Sequence, residues 1–153
     1  MKILFSLLLT LLFSTAASAQ SMIDQQIELV RQSAQTDRKA IILGNVHFTS
    51  EESDLFWPAW NAYRQKEMAN GDRLLKLIQH YAENHSKMTD QVANELLTDH
   101  FSIAMQDVAI KQEFAKHINT FMPAIKVMRV IQIENKLDAA IDLQLAAEIP
   151  LVD

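Results

Sequence analysis

The chain contains 153 residues, of which 49% are hydrophobic and 22% are charged, and its formal net charge is −5. This length favours a single domain, and the absence of cysteine excludes disulfide scaffolds, cysteine nucleophiles and zinc fingers. Two isolated glycines exclude a phosphate-binding glycine loop, and the acidic charge argues against nucleic acid as a partner.

The first 19 residues have the pattern of a secretory signal peptide. Lys2 precedes an apolar run, and Ala17-Ser18-Ala19 supplies the small residues of a cleavage site. The run is shorter than the roughly 20 residues of a membrane span, so an uncleaved anchor helix is the less favoured alternative. We predict a signal peptide over 1–19, one mature domain over 20–153 without a membrane span, and a periplasmic location.

The mature chain begins with a predicted helix over about 23–46, which Gly44 and Asn45 are suited to end. Thr49 and Glu52 then have the spacing of a capping box, which predicts the start of the next helix. That helix meets Pro58, where two outcomes are open. Either one helix is kinked at the proline, or the main helix restarts with Pro58 in its first turn.

Beyond Pro58 the sequence predicts a long helix with a heptad seam, because seam residues recur in steps of four and three. The seam is apolar at both ends and polar at its centre. Its positions are Phe56, Trp60, Tyr63, Glu67, Asn70, Leu74, Leu77 and Tyr81.

Thr89 is the predicted N-cap of a further helix with the same stepping. Its seam includes His100 and His117 in the interior. A second apolar stripe beside the seam, with Leu97, Phe101, Ala104 and Val108, makes this face wide enough for two neighbouring helices.

Pro123 suits the first position of the last helix, and Pro150 suits its end. We expect the tail residues Ile149, Leu151 and Val152 to dock on the core. The predicted apolar positions of this helix are Ile125, Met128, Ile131, Leu137, Ile141 and Leu145.

The helix lengths predict the architecture. A helix over 58–84 spans about 40 Å, whereas a compact sphere of this chain has a radius of gyration of about 14 Å. We therefore predict an all-α fold, with a long antiparallel helical hairpin and shorter flanking helices in an elongated four-helix architecture. Such a layer leaves apolar surface for a second copy or a client chain, so we expect a homodimer.

Catalytic and metal sites have little support in the sequence. The histidines His47, His80, His85, His100 and His117 do not converge on one helix face, so we predict no metal site. Glu134 and Asp138 are four residues apart, which favours an interhelical salt-bridge network or a solvated face over acid–base catalysis. There is no serine nucleophile motif, so we predict neither an enzyme nor a cofactor.

Two groups of residues are candidates for binding protein. The aromatic residues around Pro58 form either a buried plug, which we favour, or an exposed patch that holds apolar peptide. Basic residues near the junction of the last two helices either form a solvated face or steer acidic segments. With Phe101, the candidate residues are Phe56, Trp57, Trp60, Tyr63, Phe101, Lys111, Lys116, Lys126 and Arg129.

Several motifs resemble known families. Phe48-Thr49-Ser50-Glu51-Glu52 is similar to the Leu-Thr-x-x-Gln element of the periplasmic Spy/CpxP group and its heavy-metal-resistance relatives, with Phe for Leu and Glu for Gln. A degenerate copy reads Phe121-Met122-Pro123-Ala124-Ile125-Lys126. An uncharacterised family of exported proteobacterial helical proteins has signatures resembling Phe56-Trp57-Pro58-Ala59-Trp60-Asn61-Ala62-Tyr63, Gln132-Ile133-Glu134-Asn135-Lys136-Leu137-Asp138-Ala139 and Glu148-Ile149-Pro150-Leu151.

The Spy/CpxP resemblance implies a helical dimer with a concave surface that acts as an ATP-independent holding chaperone or an envelope-stress adaptor. The metal-sensing relatives carry histidine-rich N-terminal segments, of which this chain has only His47. We predict a periplasmic protein-binding module for unfolded or envelope protein clients. The alternative is a metal-responsive sensor or metal-binding protein.

Overall fold

The computed structural model describes residues 37–151, and no strand occurs among them. The predicted signal peptide over 1–19, the start of the first predicted helix and Val152 lie outside the described residues. The chain divides into two compact units between Gly44 and Asn45. The described residues of the first unit, 37–44, are all helical, and the helix includes one further residue, Asn45. One mature domain over 20–153 stays a prediction.

The second unit contains three long helices, which we number within this unit. A short 3₁₀ turn over His85–Lys87 joins the first to the second. The helices are α1 (Ser50–Asn84, 35 residues), α2 (Asp90–Ile118, 29 residues) and α3 (Ala124–Glu148, 25 residues).

The first two helices form an antiparallel hairpin. Lys66 Nζ lies 2.7 Å from Glu113 Oε1, and Arg73 Nη2 donates to Ser102 Oγ at 2.9 Å. Residue numbers therefore increase along α1 in the direction in which they decrease along α2. The predicted all-α fold with long helices packed against each other is confirmed.

The third helix runs parallel to the first. Lys126 on α3 pairs with Glu52 near the start of α1, and Glu134 accepts a hydrogen bond from Trp60 further along. At 25 residues, α3 is a long third neighbour of the hairpin.

The predicted capping box opens α1. The Thr49 N–H donates to Glu52 Oε2 at 2.8 Å, and the Glu52 N–H donates to Thr49 Oγ1 at 3.2 Å. The helix then continues through Pro58, which decides between the two open outcomes in favour of a single helix. Pro58 and Asp54 both lie on the exposed side, where water can satisfy the carbonyl that proline leaves without a donor.

The ends of the other helices follow the sequence signals closely. Thr89 caps α2 by accepting from the Val92 N–H at 3.3 Å. Pro123 is the N-cap of α3, one position before the helical role that we predicted for it, and the helix ends before Pro150.

An aromatic core fills the end of the bundle near the start of α1. We use this name for Phe56, Trp60, Tyr63 and Phe114, which are at most 4% exposed. The rings of Tyr63 and Phe114 stack with centroids 4.4 Å apart. Aliphatic side chains from α2 and α3 complete the core. They include Ile110, Ile118, Val127 and Val130.

Two predictions about buried positions are wrong. His100 and His117, expected inside the seam, are exposed on α2. Ile125 and Met128, expected to face the core, are 81% and 58% exposed, because α3 turns Val127, Val130 and Glu134 inward instead. Among the described residues, no helix has the length and apolar character that a membrane crossing needs.

Replacing Trp60 tests the contact between α1 and α3. Trp60→Phe removes the indole donor of the buried Glu134 carboxylate and leaves a small cavity, so we expect it to lower the free energy of unfolding by about 2–4 kcal/mol. The matched control Trp57→Phe keeps an aromatic ring and removes the half-buried bond to Ser53, with an expected loss below about 1 kcal/mol. Urea unfolding followed by circular dichroism measures both. Equal losses would contradict the role of Glu134.

Candidate functional site

An apolar cleft of about 640 Å³ lies between the three helices, away from the aromatic core. Its walls are mainly leucine and isoleucine side chains from all three helices, and its volume falls within the range of about 300–1,000 Å³ for ligand pockets. The principal apolar wall residues are Leu74, Leu77, Leu96, Ile103, Leu145 and Ile149.

In the described part of the chain, four polar side chains line the cleft, and two of them are acidic. Asp107 comes from α2 and Asp142 from α3, and Tyr81 and His100 complete the polar lining. Among the described residues that line the cleft, none is lysine or arginine. The cleft is therefore apolar with a negative charge bias.

The chain after α3 is tied to the other helices by its backbone. Tyr81 Oη donates to the Pro150 carbonyl at 2.8 Å, and His85 Nε2 lies 2.9 Å from the Leu151 carbonyl oxygen. Ile149 lines the cleft, whereas the Leu151 side chain is 87% exposed. The prediction that the tail docks on the core is therefore correct for Ile149. It is wrong for the Leu151 side chain, because Leu151 makes its contact through the backbone carbonyl.

Beside the cleft, α2 presents four apolar side chains to solvent, which we call the α2 stripe: Leu97, Phe101, Met105 and Val108. They are 53%, 59%, 68% and 59% exposed. Steps of four, four and three place them on one face of the helix. Leu97 also lines the cleft, so the two features adjoin.

A polar layer separates the aromatic core from the cleft, and Asn70 anchors it. This side chain is 3% exposed, and its Nδ2 donates to the Ile103 carbonyl at 2.9 Å and to Asp107 Oδ1. Its Oδ1 accepts from Arg73 at 3.0 Å. The amide therefore satisfies polar groups on both hairpin helices inside the bundle.

Glu67 is the neighbouring member of the polar layer and has an unusual carboxyl group. Burial, reinforced by the negative charges of Asp107 and Asp138, raises the pKa of Glu67 to about 7. The buried Oε1 atom of Glu67 has no hydrogen-bond partner among the described residues. Lys111 is nearby, but its ammonium group bonds Asp138 at 2.9 Å.

The salt-bridge network predicted around Glu134 and Asp138 is confirmed. Glu134 is fully buried, accepts from Trp60 Nε1 at 2.9 Å and lies 3.7 Å from Arg64 Nη1. Asp138 pairs with Lys111. These carboxylates therefore join α3 to the hairpin.

The described histidines have no evident metal-binding arrangement. Among residues 37–151, no group of three or more histidine, aspartate or glutamate side chains has the geometry to hold a metal ion. Asn84, four residues after His80 on α1, donates its side-chain amide to the His80 carbonyl at 2.9 Å.

The aromatic candidates are divided between core and surface. Phe56, Trp60 and Tyr63 belong to the aromatic core, so they form the plug and not an exposed patch. Trp57 is half-buried and donates to Ser53 Oγ at 3.1 Å. Of the predicted aromatic surface, the structure leaves Phe101 widely exposed.

The basic candidates are also divided. Lys111 pairs with Asp138, and Lys126 Nζ lies 2.6 Å from Glu52 Oε2. The hydrogen bond from Lys126, together with that from the Thr49 N–H, lowers the pKa of Glu52. Lys116 and Arg129 are exposed. Two of the four basic residues therefore hold helices together.

Sequence reasoning missed the cleft and the exposed position of Met105. The available signal was the second apolar stripe of α2, which lies beside the heptad seam. Met105 lies four residues after Phe101 and three before Val108, so helical spacing alone places it on that face.

Glu67→Gln tests the polar layer through the pH dependence of stability. The pKa of Glu67 is higher in the folded protein than in the unfolded chain, so the folded state retains a proton that the unfolded chain has lost, and stability falls as pH rises toward and past 7. Between pH 5 and pH 8 we expect the free energy of unfolding to fall by about 1–2 kcal/mol more for the wild type than for the variant. This value allows for the partial exposure of the Glu67 carboxyl group.

Urea unfolding at several pH values measures this difference. Glu113→Gln is the matched control, because the hydrogen bond from Lys66 lowers the pKa of the exposed Glu113 carboxyl. Its contribution to stability disappears only in acid, so this variant should keep the wild-type trend between pH 5 and pH 8. Parallel pH profiles for the wild type and Glu67→Gln would contradict the assignment.

Comparison with known proteins identifies no neighbour. No family model, curated protein or solved structure matches the chain. Similarity to the Spy/CpxP group and to the exported helical family therefore stays a prediction from the residues, and any function has to be argued from the site itself.

Proposed function

We propose that this protein is a periplasmic module that binds other proteins, as an ATP-independent holding chaperone or an envelope-stress adaptor. One observation carries the proposal: the α2 stripe presents four large apolar side chains, each more than half exposed, on one helix face. Contiguous apolar surface on a soluble protein marks a site for another molecule. The proposed compartment rests on the signal peptide pattern of residues 1–19.

The side chains of the α2 stripe suit unfolded clients of varied sequence. Methionine and phenylalanine supply polarisable and aromatic surface, and the flexible Met105 side chain can adapt to different partners. Burying such side chains releases water from apolar surface, which favours binding without a cofactor or nucleotide. Exposed Lys116 and Arg129 add positive charge that can speed the encounter with acidic segments.

The stripe also offers a surface to a second copy of the chain. Self-association through α2 would cover Phe101 and Met105 and make the homodimer that we predict. Light scattering across a concentration series measures the mass, and a dimer built on this face should become a monomer when both residues are replaced by serine.

Serine substitutions on the stripe test the holding function. We expect the mature protein to suppress aggregation of an unfolding reporter, measured by light scattering. Phe101→Ser combined with Met105→Ser should reduce this suppression about three- to tenfold, since both side chains lose apolar contact area. Neither residue is buried, so circular dichroism should show an unchanged fold.

The matched control is Ile125→Ser, which removes an apolar side chain that is 81% exposed at the start of α3. It should keep most of the suppression. Absence of suppression by the wild type at several-fold molar excess would refute the chaperone role, and equal loss in the control would refute the role of the stripe.

A further inference from the structure

We propose that the cleft between α1, α2 and α3 binds the alkyl chain of a cationic amphiphile, a molecule with one apolar tail and an ammonium head group. The site is separate from the α2 stripe apart from Leu97, which belongs to both. The proposal therefore does not depend on the protein-binding function.

The cleft is a built feature of the bundle. Ile103, which is only 5% exposed, contributes to its lining from α2, and leucine side chains from all three helices complete the walls. The side chains of Tyr81 and His85 contact backbone carbonyl groups of the segment after α3 and hold this segment against the end of the hairpin. These bonds keep Ile149 at the cleft.

The apolar walls suit an alkyl chain better than a polar ligand. A volume of about 640 Å³ exceeds what a single side chain would fill, and hydrophobic sites of this size between bundle helices are common ligand sites. An unbranched chain can follow a cleft formed by three helices, because its torsions adjust to the irregular walls.

The charge of the lining selects the head group. Asp107 and Asp142 contribute two carboxyl groups, whereas no lysine or arginine lies among the described lining residues. Such a site attracts a cation and repels the carboxylate of a fatty acid. The ring of Tyr81 supplies a further surface for an ammonium group.

The arrangement of Asp107 supports this choice. Asn70 Nδ2 donates to its Oδ1 atom, which fixes the carboxyl group at the boundary between the polar layer and the cleft. Lys111, the nearest basic residue along α2, bonds Asp138. The Asp107 carboxyl group is therefore held in place by Asn70, a residue buried inside the bundle.

Calorimetric titration of the mature protein with three ten-carbon probes below their micelle concentrations tests the proposal. The probes are decyltrimethylammonium, decanoate and neutral decanol. We expect decyltrimethylammonium to bind about tenfold more tightly than decanoate, because the tails match and the head charges are opposite. Equal or tighter binding of decanoate, or no binding of any probe, would overturn the proposal.

Two sets of variants locate the site. Asp142→Asn should weaken decyltrimethylammonium binding about threefold, and together with Asp107→Asn about tenfold, while decanol binding stays unchanged. Ala104→Trp, which places an indole in the lining, should remove binding of all three probes. Unchanged binding of decyltrimethylammonium to both the double variant and Ala104→Trp would overturn the assignment to this cleft.

The Phe101→Ser and Met105→Ser variant separates this site from the α2 stripe. Neither residue lines the cleft, so decyltrimethylammonium should bind this variant as it binds the wild type. Loss of probe binding here would place the amphiphile on the stripe and overturn the proposal. Failure of the aggregation assay with intact probe binding would refute only the holding function.

Discussion

The position of α3 depends on one buried carboxylate. Glu134 is inaccessible to solvent, and its charge is compensated by the Trp60 indole and by Arg64, both on α1. A buried charge without such partners is strongly unfavourable, so the helix has to present this residue to α1. If α3 were rotated so that Ile125 or Met128 became buried, Glu134 would lose its contacts with Trp60 and Arg64. The register of α3, and therefore the composition of the cleft, follows from this contact.

The bundle has two unlike ends with a polar layer between them. Stacked rings fill the interior of the end that contains Tyr63 and Phe114. Asn70 and Glu67 then interrupt the apolar seam, and beyond them smaller aliphatic side chains line a cleft instead of closing a core. Large side chains are packed at one end, while the other end keeps an open apolar volume.

Two apolar surfaces adjoin on α2 but have different character. The stripe that contains Phe101 and Met105 is exposed, which suits a large partner such as another protein chain. The cleft, with Asp107 and Asp142 in its lining, is concave and negatively biased, which suits a small amphiphile.

The sequence by itself determined the all-α fold, the long helices and most helix ends, since capping residues such as Thr49 and Thr89 and the heptad spacing act over short distances. For Glu134 and Asp138 it left a salt-bridge network and a solvated face open, and the structure shows the network. Only the tertiary structure decided that His100 is exposed and that α3 turns Val127 inward. Helical periodicity identifies which residues share a face, but it does not say which of two apolar faces a neighbouring helix covers. That choice depends on contacts between residues far apart in the chain, above all the pairing of Trp60 with Glu134.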